Sequence, residues 1–155
     1  MTAVRNGAWV ALRYVTTLFF VGVIVQFFLV GYGLFDMKNS TTNDHSSTVT
    51  IDNANSLDPH RAVGFLLSDA GAFLILLLVL LAWPQRRLLV RWIALAVLAF
   101  VQGLLAGFGF NHWVLGMFHP VNALILLGLS GYLARYAWTA RRDTEEAPAA
   151  ITAAG

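Results

Sequence analysis

Four long apolar runs constrain the fold of this chain more than any other feature. Each has the roughly 20 residues that a helix needs to cross a hydrocarbon core about 30 Å thick. A soluble bundle would show polar outer faces, which these runs lack, and hydrophobic residues make up 58% of the 155 positions. The sequence therefore predicts an all-α integral membrane protein, an up-down-up-down four-helix bundle within residues 1–142, followed by a disordered tail at 143–155. The predicted helices cover about 9–35, 60–83, 89–110 and 119–140, with an outer loop at 36–58.

The basic residues indicate how this bundle is oriented in the membrane. Lys38 and Arg61 flank the side that holds the 36–58 loop, and the other eight of the ten Lys and Arg residues flank the opposite side. The positive-inside rule then places both termini in the cytoplasm and the loop outside a plasma membrane. The net charge of +2 follows from this topology and does not indicate a nucleic-acid partner. The eight residues are Arg5, Arg13, Arg86, Arg87, Arg91, Arg135, Arg141 and Arg142.

The chain also contains an internal repeat. VQFFLVGYGLF at 25–35 matches VQGLLAGFGFN at 101–111, and each copy is followed by a helix that begins with histidine. Two hairpins in the same orientation predict a pseudo-twofold axis along the membrane normal. The match pairs Gln26, Gly31 and Gly33 with Gln102, Gly107 and Gly109.

The two histidines that open the second and fourth helices are the main candidate site. His60 and His119 are each followed, one helical turn later, by a small residue, Gly64 or Ala123. Diagonal helices of a four-helix bundle lie about 11–14 Å apart, which suits a flat macrocycle whose iron takes one imidazole from each side. The sequence therefore predicts haem b near the outer face. The second ring N–H of each histidine would be held by a carbonyl, Asp58 or Asn122.

Several further residues are assigned to this site. Gly31, Gly33, Gly107 and Gly109 are expected to thin the flanking helices at the depth of the histidines, and Gly31 and Gly107 to lie at tight small-residue contacts. The DPH motif is expected to supply an N-cap and an N1 proline, and Arg61 to pair with a haem propionate. His112 is the alternative ligand, whereas His45 in the outer loop is expected to face solvent.

Three polar residues lie deeper in the apolar runs. Gln26 and Gln102 are expected to form a hydrogen-bonded pair across the repeat axis, worth about 0.6–2 kcal/mol. Asp69 is a functional candidate by default, because ionisable residues inside membranes are costly. It is either protonated and bonded to a glutamine or Ser68, or part of a proton path, and the sequence leaves both open.

The motifs QFFLVGYGLF, DPHRAVGFLL, VQGLLAG and HPVNALILLGL resemble those of a small actinobacterial four-helix integral membrane family of unknown function, over about residues 10–137. More distantly, the chain resembles haem A synthase and other b-type four-helix cytochromes. That resemblance implies haem between His60 and His119. The chain lacks a second, inner histidine pair and the glutamate beside histidine that a haem-modifying enzyme would need, so transmembrane electron transfer between stacked haems is not expected.

Three functions follow from these expectations. The first is a haem protein for electron transfer, haem handling or redox sensing, with a redox protein or a quinone as partner and no catalytic residues of its own. If it is an enzyme, it would be a component of a membrane oxidoreductase. The second is a small accessory or assembly protein without cofactor. Whether the chain forms a homo-oligomer is left open. The third is an outer-face Cu or Zn site built from Asp58 and the four histidines, His45, His60, His112 and His119.

Overall fold

The structure is a computed structural model that describes residues 3–43, 48–109 and 111–153, without the side chains of residues 43, 51 and 141–153. The regular elements in these ranges are all helical, and the predicted all-α class is confirmed. A 3₁₀ turn at Asn55–Leu57 and a π-helical turn at Leu66–Gly71 make α2, α3 and α4 nearly continuous. The α-helices are α1 (Ala3–Asn43), α2 (Ile51–Ala54), α3 (Asp58–Phe65), α4 (Ala72–Ala82), α5 (Arg86–Gly109), α6 (Trp113–Gly116) and α7 (Phe118–Ala153).

Four helical segments are long and apolar enough to cross a membrane, as expected of an integral membrane protein. We refer to them as spans 1 to 4, and their most apolar windows have mean hydropathies from 1.6 to 2.5. Large apolar side chains such as Phe28 and Phe73 point outward and are 73% and 68% exposed. A surface of this kind suits lipid rather than water. The spans are Ala3–Thr42, Asp52–Ala82, Arg86–Gly109 and Trp113–Ala140.

The helix ends differ from the expected boundaries. α1 runs to Asn43 and helix resumes at Ile51, so both ends of the predicted 36–58 loop are helical. No side-chain N-cap forms before α3, since the preceding residues are already helical, although Pro59 lies in its first turn. The backbone of α7 continues to Ala153, where disorder is expected for 143–155. The helices are longer than expected because an apolar run indicates only the part of a helix that lies in lipid. Residues with a high helix propensity, such as Ala and Glu, can continue the helix beyond the membrane.

Spans 1 and 2 contact each other near both of their ends. Gly33 near the end of span 1 lies against Leu57 near the start of span 2. At the other end, Arg5 Nη2 donates to the carbonyl oxygen of Trp83 at 2.8 Å. Trp83 has a left-handed backbone (φ 44°) that terminates span 2, so Arg5 satisfies one of the carbonyls left free at a helix end.

An aromatic cluster ties spans 1, 3 and 4 together at the end remote from the histidines. Trp92 is fully buried, and its Nε1 donates to Oγ1 of Thr16 at 3.2 Å. The Trp92 ring packs edge-on against Trp9 and Tyr136, with ring centroids 5.4 and 6.4 Å away. This cluster gives the bundle a rigid base, because large side chains from three spans interlock there.

Glycines do make close helix contacts, but the expectation for Gly31 and Gly107 is wrong. A Cβ added at either would meet nothing within 4 Å, whereas one at Gly33 would lie 2.7 Å from the carbonyl oxygen of Ser56. Gly116, in α6 at the start of span 4, is also close-packed, because a Cβ on Gly109 would lie 2.9 Å from the Cα of Gly116. The sequence pattern shows that glycines recur but not which of them face a neighbouring helix.

Candidate functional site

A cavity of about 480 Å³ lies among the four spans, towards the end where spans 2 and 4 begin. Its walls are mainly apolar side chains, such as Phe27 and Leu67, with a few polar groups between them. Pockets of this size and character are typical of small-molecule and cofactor sites. The predicted site residues that line it are His60, Arg61, Gly64, Gly107, His119, Ala123, Gln26 and Gln102.

The two predicted ligand histidines face each other across the bundle. The ring centroids of His60 and His119 are 6.3 Å apart, and their planes make an angle of 78°. Two imidazoles that bind one metal ion from opposite sides, through nitrogens at about 2 Å, have ring centroids about 6 Å apart. The separation therefore has the size that a single metal atom between the rings requires.

His119 belongs to a hydrogen-bond network that includes Gln102 and Asn122. The donors and acceptors of this network can be assigned by starting at the backbone carbonyl of Leu98, which can only accept. Asn122 Nδ2 donates to the carbonyl oxygen of Leu98 at 2.9 Å, which fixes the orientation of the asparagine amide. The same Nδ2 donates to Gln102 Oε1 at 2.8 Å, so Gln102 Nε2 is left to face His119 Nε2 at 3.2 Å. Both Asn122 and the His119 ring come from span 4, while Gln102 comes from span 3.

These contacts determine the protonation of the His119 ring. An amide nitrogen can only donate, so His119 Nε2 carries the lone pair that accepts from Gln102. A backbone carbonyl can only accept, so Nδ1 carries the proton and donates to the Gln102 oxygen at 3.3 Å. A neutral imidazole whose Nδ1–H is held by a carbonyl is the usual form of a metal-binding histidine.

The His60 side is related but incomplete. His60 lies against the backbone of Gln26, as His119 lies against that of Gln102. However, Nδ1 of His60 and both amide atoms of Gln26 are buried without a hydrogen-bond partner. The two halves also differ three residues after each histidine, where Val63 stands in the place that Asn122 takes after His119.

The expected pairing of Gln26 with Gln102 is therefore wrong. Gln102 bonds to His119 and Asn122 instead, and Gln26 has no such partner. Arg61 lines the cavity, but its Nη1 donates to Asp58 Oδ1 at 2.7 Å, one turn away on the same helix. This partly exposed ion pair is a modest interaction.

Other predicted site residues lie away from the cavity. Gly31 does not border it, and His112 is exposed beside Trp113 in the connection after span 3. Asp69 is exposed on the π-helical turn, and Ser68 donates to the Phe65 carbonyl rather than to this carboxyl group. His45 lies outside the described residues.

Sequence reasoning missed the link between Asn122 and Gln102. The signal was present, because an asparagine in an apolar helix one turn after a histidine has to find a hydrogen-bond partner. Within the described ranges, no three residues among His, Cys, Asp and Glu gather into a metal-binding group. His45, one of the five ligands expected for a Cu or Zn site, lies outside these ranges.

Comparisons with models of known protein families, with curated proteins and with solved structures find no match to this chain.

Proposed function

We propose that this protein is a membrane haem protein that binds one haem b between His60 and His119. The observation that carries the proposal is the 6.3 Å separation of the two rings across an apolar cavity. His119 already has the tautomer that a ligand needs, and its Nδ1–H is held by the Gln102 carbonyl. On the other side, Nδ1 of His60 is buried without a partner, and the His60 ring interacts with the backbone of Gln26, the repeat mate of Gln102.

The residues around the histidines fit a large planar group. Gly64 and Ala123 line the cavity one turn below each histidine, so the helix carries only a hydrogen atom or a methyl group there. Gly107 also borders the cavity and has open space beside its Cα. When bound, haem supplies one-electron chemistry. The apolar walls exclude water and thereby influence the reduction potential of the iron. The chain contributes ligands, orientation and a dry environment.

The membrane arrangement that belongs to this proposal is an up-down-up-down bundle of two parallel hairpins with both termini in the cytoplasm. The matched relation of each histidine to the glutamine of the preceding span supports the repeat. The distribution of basic residues supports the orientation. The haem then lies in the outer half of the membrane, where a quinone or a redox protein can exchange electrons with it.

A cofactor-free accessory protein is the second candidate. One observation favours it: both ring nitrogens of His119 are hydrogen-bonded within the protein, and the two histidine rings contact each other edge-on. In that case the polar network holds spans 3 and 4 together, and its residues act only in packing.

A haem-reconstitution experiment separates the two candidates. The protein is purified in detergent without haem, hemin is added, and the Soret, α and β bands are recorded. We expect a six-coordinate, low-spin spectrum in the parent protein. His60→Ala and His119→Ala should each lose it, while the control His112→Ala, an exposed residue off the cavity, should keep it. A double variant His60→Ala/His119→Ala that folds and still binds haem as the parent does would refute the haem proposal.

A further inference from the structure

The lone pair of His119 Nε2 is already in use. It accepts a hydrogen bond from Gln102 Nε2 at 3.2 Å, while Nδ1–H donates to the Gln102 carbonyl. One lone pair can serve either an amide N–H or a metal ion, but not both at once. Any metal that binds His119 through Nε2 must therefore displace the side chain of Gln102.

We propose that Gln102 and Asn122 form a latch that makes His119 the exchangeable ligand of the site and His60 the permanent one. This inference rests on the proposed haem function and concerns how that site is regulated. In the latched state the Gln102 amide holds His119; in the released state Nε2 of His119 is free to ligate iron. The two states compete for the same nitrogen atom.

Asn122 keeps the latch in the correct orientation. Its Nδ2 is anchored on the Leu98 carbonyl and donates to Gln102 Oε1, so the Gln102 amide presents N–H rather than oxygen to His119. Asn122 is 6% exposed, and a buried amide that loses a partner is costly. The latched state is thus stabilised by a chain of hydrogen bonds that ends on the backbone.

The other half of the cavity has no corresponding latch. Gln26 is the repeat mate of Gln102, but its amide atoms are unpartnered and Val63 stands where an asparagine would orient it. His60 can therefore ligate without displacing a hydrogen bond from the side chain of Gln26. The asymmetry between two otherwise related halves predicts which histidine leaves first.

A histidine ligand is easier to displace from iron when a hydrogen-bond donor, here the Gln102 amide, stabilises its released form. If His119 were released from a bound haem, Gln102 would take up its Nε2, and His60 would remain as the ligand. Exchange of this kind suits sensing of a small neutral ligand or release of haem. It does not suit simple electron transfer, which works best when the coordination of the iron stays the same.

The test uses purified protein with hemin and carbon monoxide as probes. Gln102→Leu removes the latch, so we expect its hemin affinity to rise and its carbon monoxide affinity in the reduced state to fall. Each change should be about two- to tenfold, the net value of one neutral hydrogen bond. Asn122→Ala removes the group that orients Gln102, so its hemin affinity should also rise and its carbon monoxide affinity fall, by less than in Gln102→Leu. If Gln102→Leu does not fold, Asn122→Ala tests the latch in its place.

A second readout does not depend on haem. In the haem-free protein, ¹⁵N NMR of the His119 ring should show a change at Nε2 on Gln102→Leu, and Nδ1 should remain protonated. The matched variant Gln26→Leu on the repeat mate should leave the His119 resonances where they are. If Nε2 of His119 does not respond to Gln102→Leu, the latch is absent.

The outcomes distinguish this inference from the haem function itself. If the parent binds no haem, the proposed function fails and the latch has nothing to regulate. If the parent binds low-spin haem but neither Gln102→Leu nor Asn122→Ala changes the hemin and carbon monoxide affinities, the haem function stands and the latch is refuted.

Discussion

Adding one methyl group at Gly33 tests the packing of spans 1 and 2 at the mouth of the cavity. In Gly33→Ala the new Cβ would lie 2.7 Å from the Ser56 carbonyl oxygen and 3.2 Å from Leu57 Cα. Both are backbone atoms, which cannot rotate away as a flexible side chain can. The start of span 2 must shift, and overpacking of this kind typically costs about 1–3 kcal/mol.

Gly31→Ala is the matched control, because it lies in the same helix and a Cβ there meets nothing within 4 Å. Both changes gain about 1 kcal/mol of helix propensity, which cancels when the two variants are compared. We therefore expect Gly33→Ala to be less stable than Gly31→Ala by the overpacking cost alone, about 1–3 kcal/mol. Against the parent, Gly31→Ala should be neutral or slightly more stable.

The assay is reversible unfolding by SDS in mixed micelles, followed by the fluorescence of the five tryptophans. Because Leu57 precedes His60 by less than one turn, the same shift should weaken hemin binding in Gly33→Ala but not in Gly31→Ala. Equal free energies of unfolding for the two variants would show that the close contact at Gly33 is not present in the folded protein, and the reasoning would fail.

Two further predictions concern the base of the bundle and its orientation. Trp92→Phe leaves the buried Thr16 hydroxyl without its donor and should cost about 1–3 kcal/mol of unfolding free energy. Adding Thr16→Val should recover part of that loss; if the double variant is as unstable as the sum of the two single ones, the bond contributes nothing. Since the chain has no cysteine, Val49→Cys and Gln85→Cys give clean sites for an impermeant maleimide on intact cells. Val49→Cys should be labelled and Gln85→Cys protected, and the reverse pattern would overturn the orientation.

The candidate site could be predicted in part. The spacing of His60 and His119, each followed one turn later by a small residue, was enough to place both on one cavity. Because a helix has a period of 3.6 residues, residues four positions apart lie on the same face, and sequence spacing alone shows this. The predicted pairing of Gln26 with Gln102 was wrong, because the repeat matches the two glutamines but not the residues that surround them. Asn122 has no counterpart after His60, and a single side chain redirected the whole network.

The glycines illustrate the same limit. Gly31 and Gly33 are two residues apart in one helix, yet only Gly33 touches a neighbouring span. Which of them does so depends on the rotation of span 1 about its own axis, and that rotation is set by the packing of all four spans together. A glycine pattern in one helix cannot contain this information.

The sequence by itself determined the all-α class and the four apolar segments, because length and hydropathy alone decide whether a helix can cross a bilayer. It also singled out His60 and His119. Only the tertiary structure decided that their rings lie 6.3 Å apart, that Gln102 already holds one of them, and that Gln26 stands unpartnered beside the other. The physical reason is range: hydropathy and helix period act along the chain, whereas hydrogen bonds between spans depend on distances of a few ångströms between residues far apart in sequence.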